Sequence, residues 1–326
     1  MAAHSPVGKG RTVIVGPVRY AELCADGRRN LLDAGFTLVE NESTLPWEPA
    51  DLAPLLATAD AAICGVEVYT GDTLAAAPNL RVISRLGVGL DNIDLAAARA
   101  QGVDVANVPG GNANAVAELA IGLMIAVLRK IPAMNADIRS GRWDRYVGNE
   151  LAGKTVGLIG FGATARLVAK RLQGFDVQLR AYDPFADEQV AEALGVGLGS
   201  LEAVVGEADI VSVHAPRTAA TLHLVDAALL AAMRPGTVLI NTSRGGVVDE
   251  AALADALGRK HLAGAGIDVF ETEPVTSDNP LLAFDSVVAT THAAADSAEA
   301  YTRIGLSTAQ AIIDVFSGRR LEHLAN

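Results

Sequence analysis

Short runs of β-branched residues alternate with alanine- and leucine-rich stretches along nearly the whole chain, and that alternation leaves few folds open. It predicts parallel sheets wrapped by helices. The early runs are Arg11–Gly16, Phe36–Glu40, Ala61–Gly65, Arg81–Arg85 and Val103–Val108, separated by stretches such as AELCADGRRNLLDAG and NIDLAAARAQG. The pattern restarts at Lys154 with six runs: KTVGLIG, VQLRAYD, ADIVSVH, TVLINTS, GAGIDVF and SVVATTH. Between the two series, one long helix is expected from about Asn114 to Ser140, with Pro132 as a disturbance inside it. A last helix is expected over Asp296–Phe316, with Gly318 as its C-cap. At 326 residues the chain suits two domains rather than one core. The expected fold class is therefore α/β: two Rossmann-like doubly wound parallel-sheet domains with a cleft between them.

Composition removes several alternatives. Half of the residues are hydrophobic and 20% are charged, the balance of a globular chain. A net charge of −12 and a pI near 4.9 leave no basic footprint for nucleic acid. The two cysteines, Cys24 and Cys64, are too few for a disulfide framework and read as small apolar groups, so no metal is expected. The longest apolar stretch, Ala117–Leu128, is shorter than a membrane span, and the N-terminus lacks a signal-peptide core. The expected location is the cytoplasm, with no membrane partner.

The second series opens with the most informative turn in the chain. Strand KTVGLIG leads into Gly160-Phe161-Gly162-Ala163-Thr164-Ala165 and then a helix. In a dinucleotide fold the first glycine permits a tight turn, and the second lets backbone approach a pyrophosphate. The third position needs only a small side chain, which Ala165 supplies. The helix N-terminus at Ala163 and Thr164 offers free N–H groups to phosphate. About twenty residues on, Asp183 ends the next strand, where a carboxylate would accept the adenosine ribose hydroxyls and repel a 2′-phosphate. NAD is therefore the expected cofactor, and a strand-end cap is the competing role for Asp183. The first series has no such turn.

Three polar residues then follow strand ends: Arg244 in INTSRGGVVDE, Glu273 in DVFETEP and His292 in VVATTHAAA. A planar guanidinium can grip a carboxylate with parallel hydrogen bonds. An imidazole suits proton transfer in either direction near neutral pH, and a nearby carboxylate favours its charged form. An anion clamp, a proton-shuttling pair and a nicotinamide site are what a 2-hydroxyacid dehydrogenase needs.

With those residues in view, the chain resembles the D-isomer-specific 2-hydroxyacid dehydrogenase family, in its phosphoglycerate-dehydrogenase-like branch. The resemblance rests on GLIGFGATA, SVHAPRTAATLHLVD, LLAAMRPGTVLINTSRGGVVDEAAL and GAGIDVFETEP, and on SRLGVGLDNIDL and NVPGGNANAVAELAIGLM in the first series. It implies that Arg244 binds substrate and takes part in catalysis, and that His292 moves the proton beside Glu273. It also implies that Asp268 accepts a hydrogen bond from the nicotinamide carboxamide, although a strand-end cap competes there too. His214, Ala215, Pro216 and Thr242 are counted with the cofactor site, His214 through its backbone rather than as a proton carrier. His4, His223, His261 and His323 lack a setting like that of His292.

For the substrate, the turn Arg85-Leu86-Gly87-Val88-Gly89 is expected to cup a carboxylate with the N–H groups near Val88 and Gly89. Arg85 could bind a second anionic group, such as the phosphate of 3-phosphoglycerate, or serve in packing. Arg217 stands where many relatives have an apolar residue. By resemblance, Asn112 and Asn114 order a hinge, and the helix from Asn114 with SGRWDRYVG forms a homodimer contact through Trp143.

The implied domains are a discontinuous substrate-binding one, residues 1–106 with 297–326, and an NAD-binding one, residues 107–296. The implied reaction interconverts a D-2-hydroxy acid and its 2-keto acid. The chain's end soon after the last helix leads to the expectation of no appended regulatory domain. Two departures stand out: Thr291-His292-Ala293-Ala294 replaces the family's usual Pro-His-x-Gly or Pro-His-x-Ala, and the loop after Glu273 differs in length from some relatives. An NAD(H)-binding scaffold resembling the C-terminal-binding corepressors is the alternative function. A formate-dehydrogenase-like enzyme is disfavoured by Glu273.

Overall fold

The computed structural model describes residues 6–326, so His4 lies outside the described residues. The chain divides into two compact units. One comprises the residues up to Asn112 together with Asp296–Asn326, and the other is Ala113–Ala295.

The first unit is built on a five-stranded sheet of β1 (Thr12–Val15), β2 (Thr37–Glu40), β3 (Ala61–Cys64), β4 (Val82–Arg85) and β5 (Asp104–Ala106). Every pairing is parallel and the order is β2-β1-β3-β4-β5. β3 is buried at all four positions, as a strand covered on both faces should be, whereas edge strand β2 is not. The helix Ala298–Phe316, capped by Ser297 Oγ accepting from Ala300 N–H, buries Ala300, Ile304, Thr308, Ile312 and Val315 along one stripe. It lies tightly on helix Ala25–Asp33. A Cβ on Gly27 would come within 2.1 Å of the Gly305 carbonyl oxygen, so only glycine fits that crossing.

After β3 the usual sorting of side chains is reversed. Val66 and Val68 are exposed, while Glu67 between them is 2% exposed. Its Oε2 accepts the Gly65 N–H at 2.6 Å, and its Oε1 meets no partner among the described residues. Burial pushes this carboxyl above the usual range. At this site the folded state then holds a proton more tightly than the unfolded chain, so the contribution of Glu67 to stability is greatest at acid pH and is lost as pH rises through the raised value. Glu67→Gln is expected to flatten that decline and to raise Tm at pH 8 by about 2–4 °C. Thermal unfolding across pH 5–8 tests this; parallel curves for the two proteins would disprove it. Both thiols are free and buried, and burial pushes Cys24 and Cys64 up to about 12, so neither ionises near neutrality.

The second unit carries β6 (Thr155–Ile159), β7 (Gln178–Tyr182), β8 (Val196–Leu198), β9 (Ile210–Val213), β10 (Thr237–Asn241), β11 (Leu262–Ile267) and β12 (Val287–Ala289). The order is β12-β11-β10-β9-β6-β7-β8, all parallel. The sheet therefore reverses its direction of growth between β6 and β9. In doubly wound sheets, ligands bind outside the carboxyl ends of strands at that point.

Two expectations need correction. β8 was not anticipated, because Gly195, Gly197 and Gly199 dilute the β-branched signal of this short edge strand. The expected single helix over 114–140 is two helices, Ala113–Arg129 and Ile131–Arg139. Lys130 breaks them with φ 54°, and Pro132 falls in the opening turn of the second, where a missing N–H costs little. Among the described residues no helix is long and apolar enough to cross a membrane.

Candidate active site

The buried strand β10 delivers Arg244 through a turn shaped by Asn241. The Asn241 side-chain oxygen accepts from Ser243 N–H at 3.1 Å and from Ser243 Oγ at 2.8 Å, while its amide donates to the Arg244 carbonyl at 3.3 Å. The turn is pressed against the segment after β11. A Cβ on Gly245 would lie 1.7 Å from the Phe270 carbonyl oxygen, so no other residue fits. Two residues beyond that segment's next glutamate, Glu273 points back into it: Oε1 accepts the Phe270 N–H at 2.8 Å. Its other oxygen, Oε2, lies 2.7 Å from Nδ1 of His292.

His292 sits at φ 53°, a left-handed conformation costly for a histidine, and the surrounding bonds hold it there. Asp268, at the end of β11, is fully buried. Its carboxylate accepts from Thr290 Oγ1 at 2.6 Å, Ala293 N–H at 2.9 Å and Ala294 N–H at 3.0 Å, and its backbone carbonyl accepts the His292 N–H at 2.8 Å. Asp268 thus braces the whole histidine loop.

Charge ties the three groups together. The bond with Glu273 raises the His292 pKa against the opposing effect of burial. Burial pushes Glu273 up, but the hydrogen bonds from His292 and the Phe270 N–H outweigh it and leave the carboxyl below its ordinary value. The Arg244 guanidinium acts on both, opposing the rise at His292 and adding to the fall at Glu273, so it stands within electrostatic reach of the pair. Arg244 Nη1 also donates to the Ser243 carbonyl at 2.7 Å.

The glycine turn lies at the reversal point of the same sheet. Gly160 has φ +91°, and a Cβ there would approach Ala215 N and His214 C to 2.9 Å. Gly162 opens helix Ala163–Leu172 with no side-chain cap, and nothing lies within 4 Å of where its Cβ would be. The first N–H groups of that helix, at Ala163 and Thr164, meet no acceptor among the described residues, while Ala165 is fully buried. Asp183 holds the turn's shape: Oδ2 accepts the Phe161 N–H at 2.8 Å and Oδ1 the Phe185 N–H at 2.8 Å. Thr242 Oγ1 is buried without a hydrogen-bond partner. An uncapped helix start, a cleared glycine and an orphaned hydroxyl beside the reversal point suit a phosphate-linked dinucleotide. Burial lowers His214 to about 4, and its Nε2 lies 3.0 Å from Ser212 Oγ, so it is neutral at physiological pH. Pro216 is exposed beyond Ala215.

With this geometry in hand, the comparisons identify the lineage. The family described as D-isomer specific 2-hydroxyacid dehydrogenase, NAD binding domain, matches residues 121–294. The chain belongs to that family. NAD is the cofactor of the matched unit, and the residues just described fit it. A hydroxypyruvate reductase of Thermotoga maritima is 42% identical over 247 residues, 74% of this chain and 80% of that one. A D-3-phosphoglycerate dehydrogenase of Archaeoglobus fulgidus is 42% identical over 257 residues, 78% of this chain and 49% of the relative. The chain thus spans about half the length of the phosphoglycerate dehydrogenases it matches. A crystal structure from Thermus thermophilus superposes with a TM-score of 0.89 at 32% identity, covering 97% of this chain and all of the other.

Other expected residues fall elsewhere. In the first unit, Arg85 curls over its own loop: Nε donates to the Gly89 carbonyl at 2.9 Å and Nη1 to the Leu86 carbonyl at 2.7 Å. These bonds brace the loop. The Val88 carbonyl accepts from Asn107 Nδ2 at 2.8 Å, and among the described residues the N–H groups of Val88 and Gly89 meet no acceptor. Asn112 ends the first stretch of its unit, and the Asn114 side-chain oxygen accepts from Arg171 Nη2 at 2.9 Å.

His223, expected only to lack a setting like that of His292, has acidic neighbours of its own. Its Nε2 lies 3.1 Å from Glu271 Oε1 and its Nδ1 3.9 Å from Asp249 Oδ2, because the chain's turn at Gly246 brings distant acidic residues beside it. His261 Nε2 faces the Leu230 carbonyl at 3.1 Å, and His323 lies 3.8 Å from its neighbour Glu322. Sequence reading missed the parts played by Asn241, Gly245 and Thr290. An Asn followed by Thr-Ser at a strand end is an Asx-turn signature and could have been found; the tertiary contacts of the other two could not.

Proposed function

We propose that this chain interconverts a D-2-hydroxy acid and its 2-keto acid with NAD(H). One observation carries the reading: Arg244 stands within charge reach of a His292–Glu273 pair bonded at 2.7 Å, in the same unit as the dinucleotide turn. Because Nδ1 of His292 is engaged by Glu273, Nε2 is the nitrogen that delivers a proton to the keto oxygen, or removes one from the hydroxyl. Arg244 grips the substrate carboxylate and polarises the adjacent oxygen with parallel N–H groups. Asp183 would hold the adenosine ribose, and Ala163 and Thr164 the phosphates; its side chain keeps acceptor capacity beyond its two backbone bonds. Bound there, NAD supplies or takes up the hydride at substrate C2. In the first unit, the N–H groups of Val88 and Gly89 meet no acceptor among the described residues and are candidates for binding a carboxylate.

Purified protein with NADH and a panel of 2-keto acids tests the reaction; a complete lack of turnover would sink it and leave an NAD(H)-binding scaffold. The relatives found are named as enzymes, which favours catalysis. We also infer a homodimer. Trp143 is 79% exposed and Val147 88%, near exposed Ile138, on a segment anchored by buried Asp137, which binds Arg142 and the Tyr146 hydroxyl. A cytoplasmic site of action is supported by the two free, buried thiols.

The pH profile follows from the pair. Glu273 raises the His292 pKa, so the imidazolium persists above the usual 6.5. For reduction, kcat/KM is expected to stay level at acid pH and fall as pH rises through the raised value; for oxidation it should rise across the same range. Glu273→Gln should move both limbs to lower pH. Limbs that stay in place would remove Glu273 from this role.

A further inference from the structure

The chain has 38 acidic and 26 basic residues apart from histidine, and many of its arginines find carboxylates: Arg28 with Glu40, Arg171 with Glu118, Arg180 with Glu207, Arg259 with Asp255. Arg217 is exposed, and among the described residues its guanidinium forms no hydrogen bond or ion pair. Its position makes that notable. It follows β9 by four residues, at the carboxyl end where the sheet reverses. Nε and Cζ lie 3.6 and 3.7 Å from the point a Gly246 Cβ would occupy, so the side chain rests on the turn that Arg244 opens.

The backbone beneath it is fixed. Thr221 Oγ1 accepts the Thr218 N–H at 2.8 Å and donates to the Pro216 carbonyl at 2.6 Å. The acidic groups around Gly246 already have partners. Glu271 Oε1 accepts the Glu250 N–H and faces His223, while Asp249 Oδ1 caps the helix at Ala252 N–H. Arg85, the other arginine considered for a second anion, donates to its own loop's carbonyls.

We propose that Arg217 binds a second oxyanion, phosphate or carboxylate, beside the group held by Arg244. A guanidinium fork at the ligand-binding end of the sheet, resting on the turn that Arg244 opens, is complementary to such a group. The inference rests on the dehydrogenase reading above. The same chemistry has two sources: the distal anion of a doubly charged 2-hydroxy acid, or the phosphates of the dinucleotide.

Arg217→Ala and Arg217→Lys in the full chain separate them. The readouts are the NADH dissociation constant by fluorescence, and kcat/KM for 3-phosphoglycerate against glycerate and for malate against lactate. For a substrate anion, Arg217→Ala should cut the preference for the doubly charged acid by roughly 10-fold or more, with Lys recovering part of it and NADH binding unchanged. For a cofactor phosphate, NADH affinity should fall by a similar factor while the substrate ratios hold. Unchanged ratios with unchanged NADH affinity would overturn the proposal, as would an equal loss for every acid with NADH binding intact. If the unaltered protein turns over none of the acids, the dehydrogenase reading and the substrate arm fail together, and NADH affinity alone decides whether Arg217 binds phosphate.

Discussion

His292→Ala is expected to lower kcat/KM by about 10²–10⁴-fold in both directions, the range for loss of a positioned acid–base group. The dissociation constant for NADH should change little, because the glycine turn, Asp183 and Thr242 lie on other elements of the unit. The position needs a second variant, since His292 has φ 53° and alanine tolerates that region poorly. His292→Asn keeps a residue suited to the left-handed conformation and should show the same deficit. If Asn restores most of the activity, the loss in the alanine variant came from the backbone and not from the proton.

Arg244→Ala should lower kcat/KM by roughly 10²–10³-fold, as for removal of a donor aimed at developing charge. Arg244→Lys should recover only a small part, because an ammonium cannot make two parallel bonds to a carboxylate. A further signature separates this residue from Glu273. The guanidinium opposes the raised His292 pKa, so removing it should shift the pH limb of reduction upward, whereas Glu273→Gln shifts it downward. Limbs that move the same way in both variants would break the electrostatic account. Turnover that survives in Arg244→Ala would remove the arginine from the reaction.

Much of this was legible in the sequence, and the reasons are local. The buried parallel strands announce themselves as unbroken apolar runs, and the dinucleotide turn has a fixed glycine spacing before a helix. Arg244, Glu273 and His292 could be chosen because each follows a strand end in a recognisable motif. Their meeting could not be derived, since it depends on Gly245 packing on Phe270 and on Asp268 reaching forward to residues 290–294. For Arg85, left open between an anion and packing, nothing in SRLGVG reveals that the guanidinium donates to its own loop. Nor does residue type reveal that in Val66-Glu67-Val68 the acid is buried and both valines are exposed. The helix break at Lys130 escaped notice because proline drew attention two residues too late.

The brace formed by Asp268 has a consequence for variation. Three of the four bonds it makes across residues 290–294 go to main-chain N–H groups, which every residue except proline carries. Where the imidazole stands is thereby written in backbone and one buried acid, leaving the flanking side chains free to drift. A tetrapeptide without the customary proline or glycine can then present the same ring, and substitutions at Ala293 or Thr291 should be forgiven far more readily than any at Asp268.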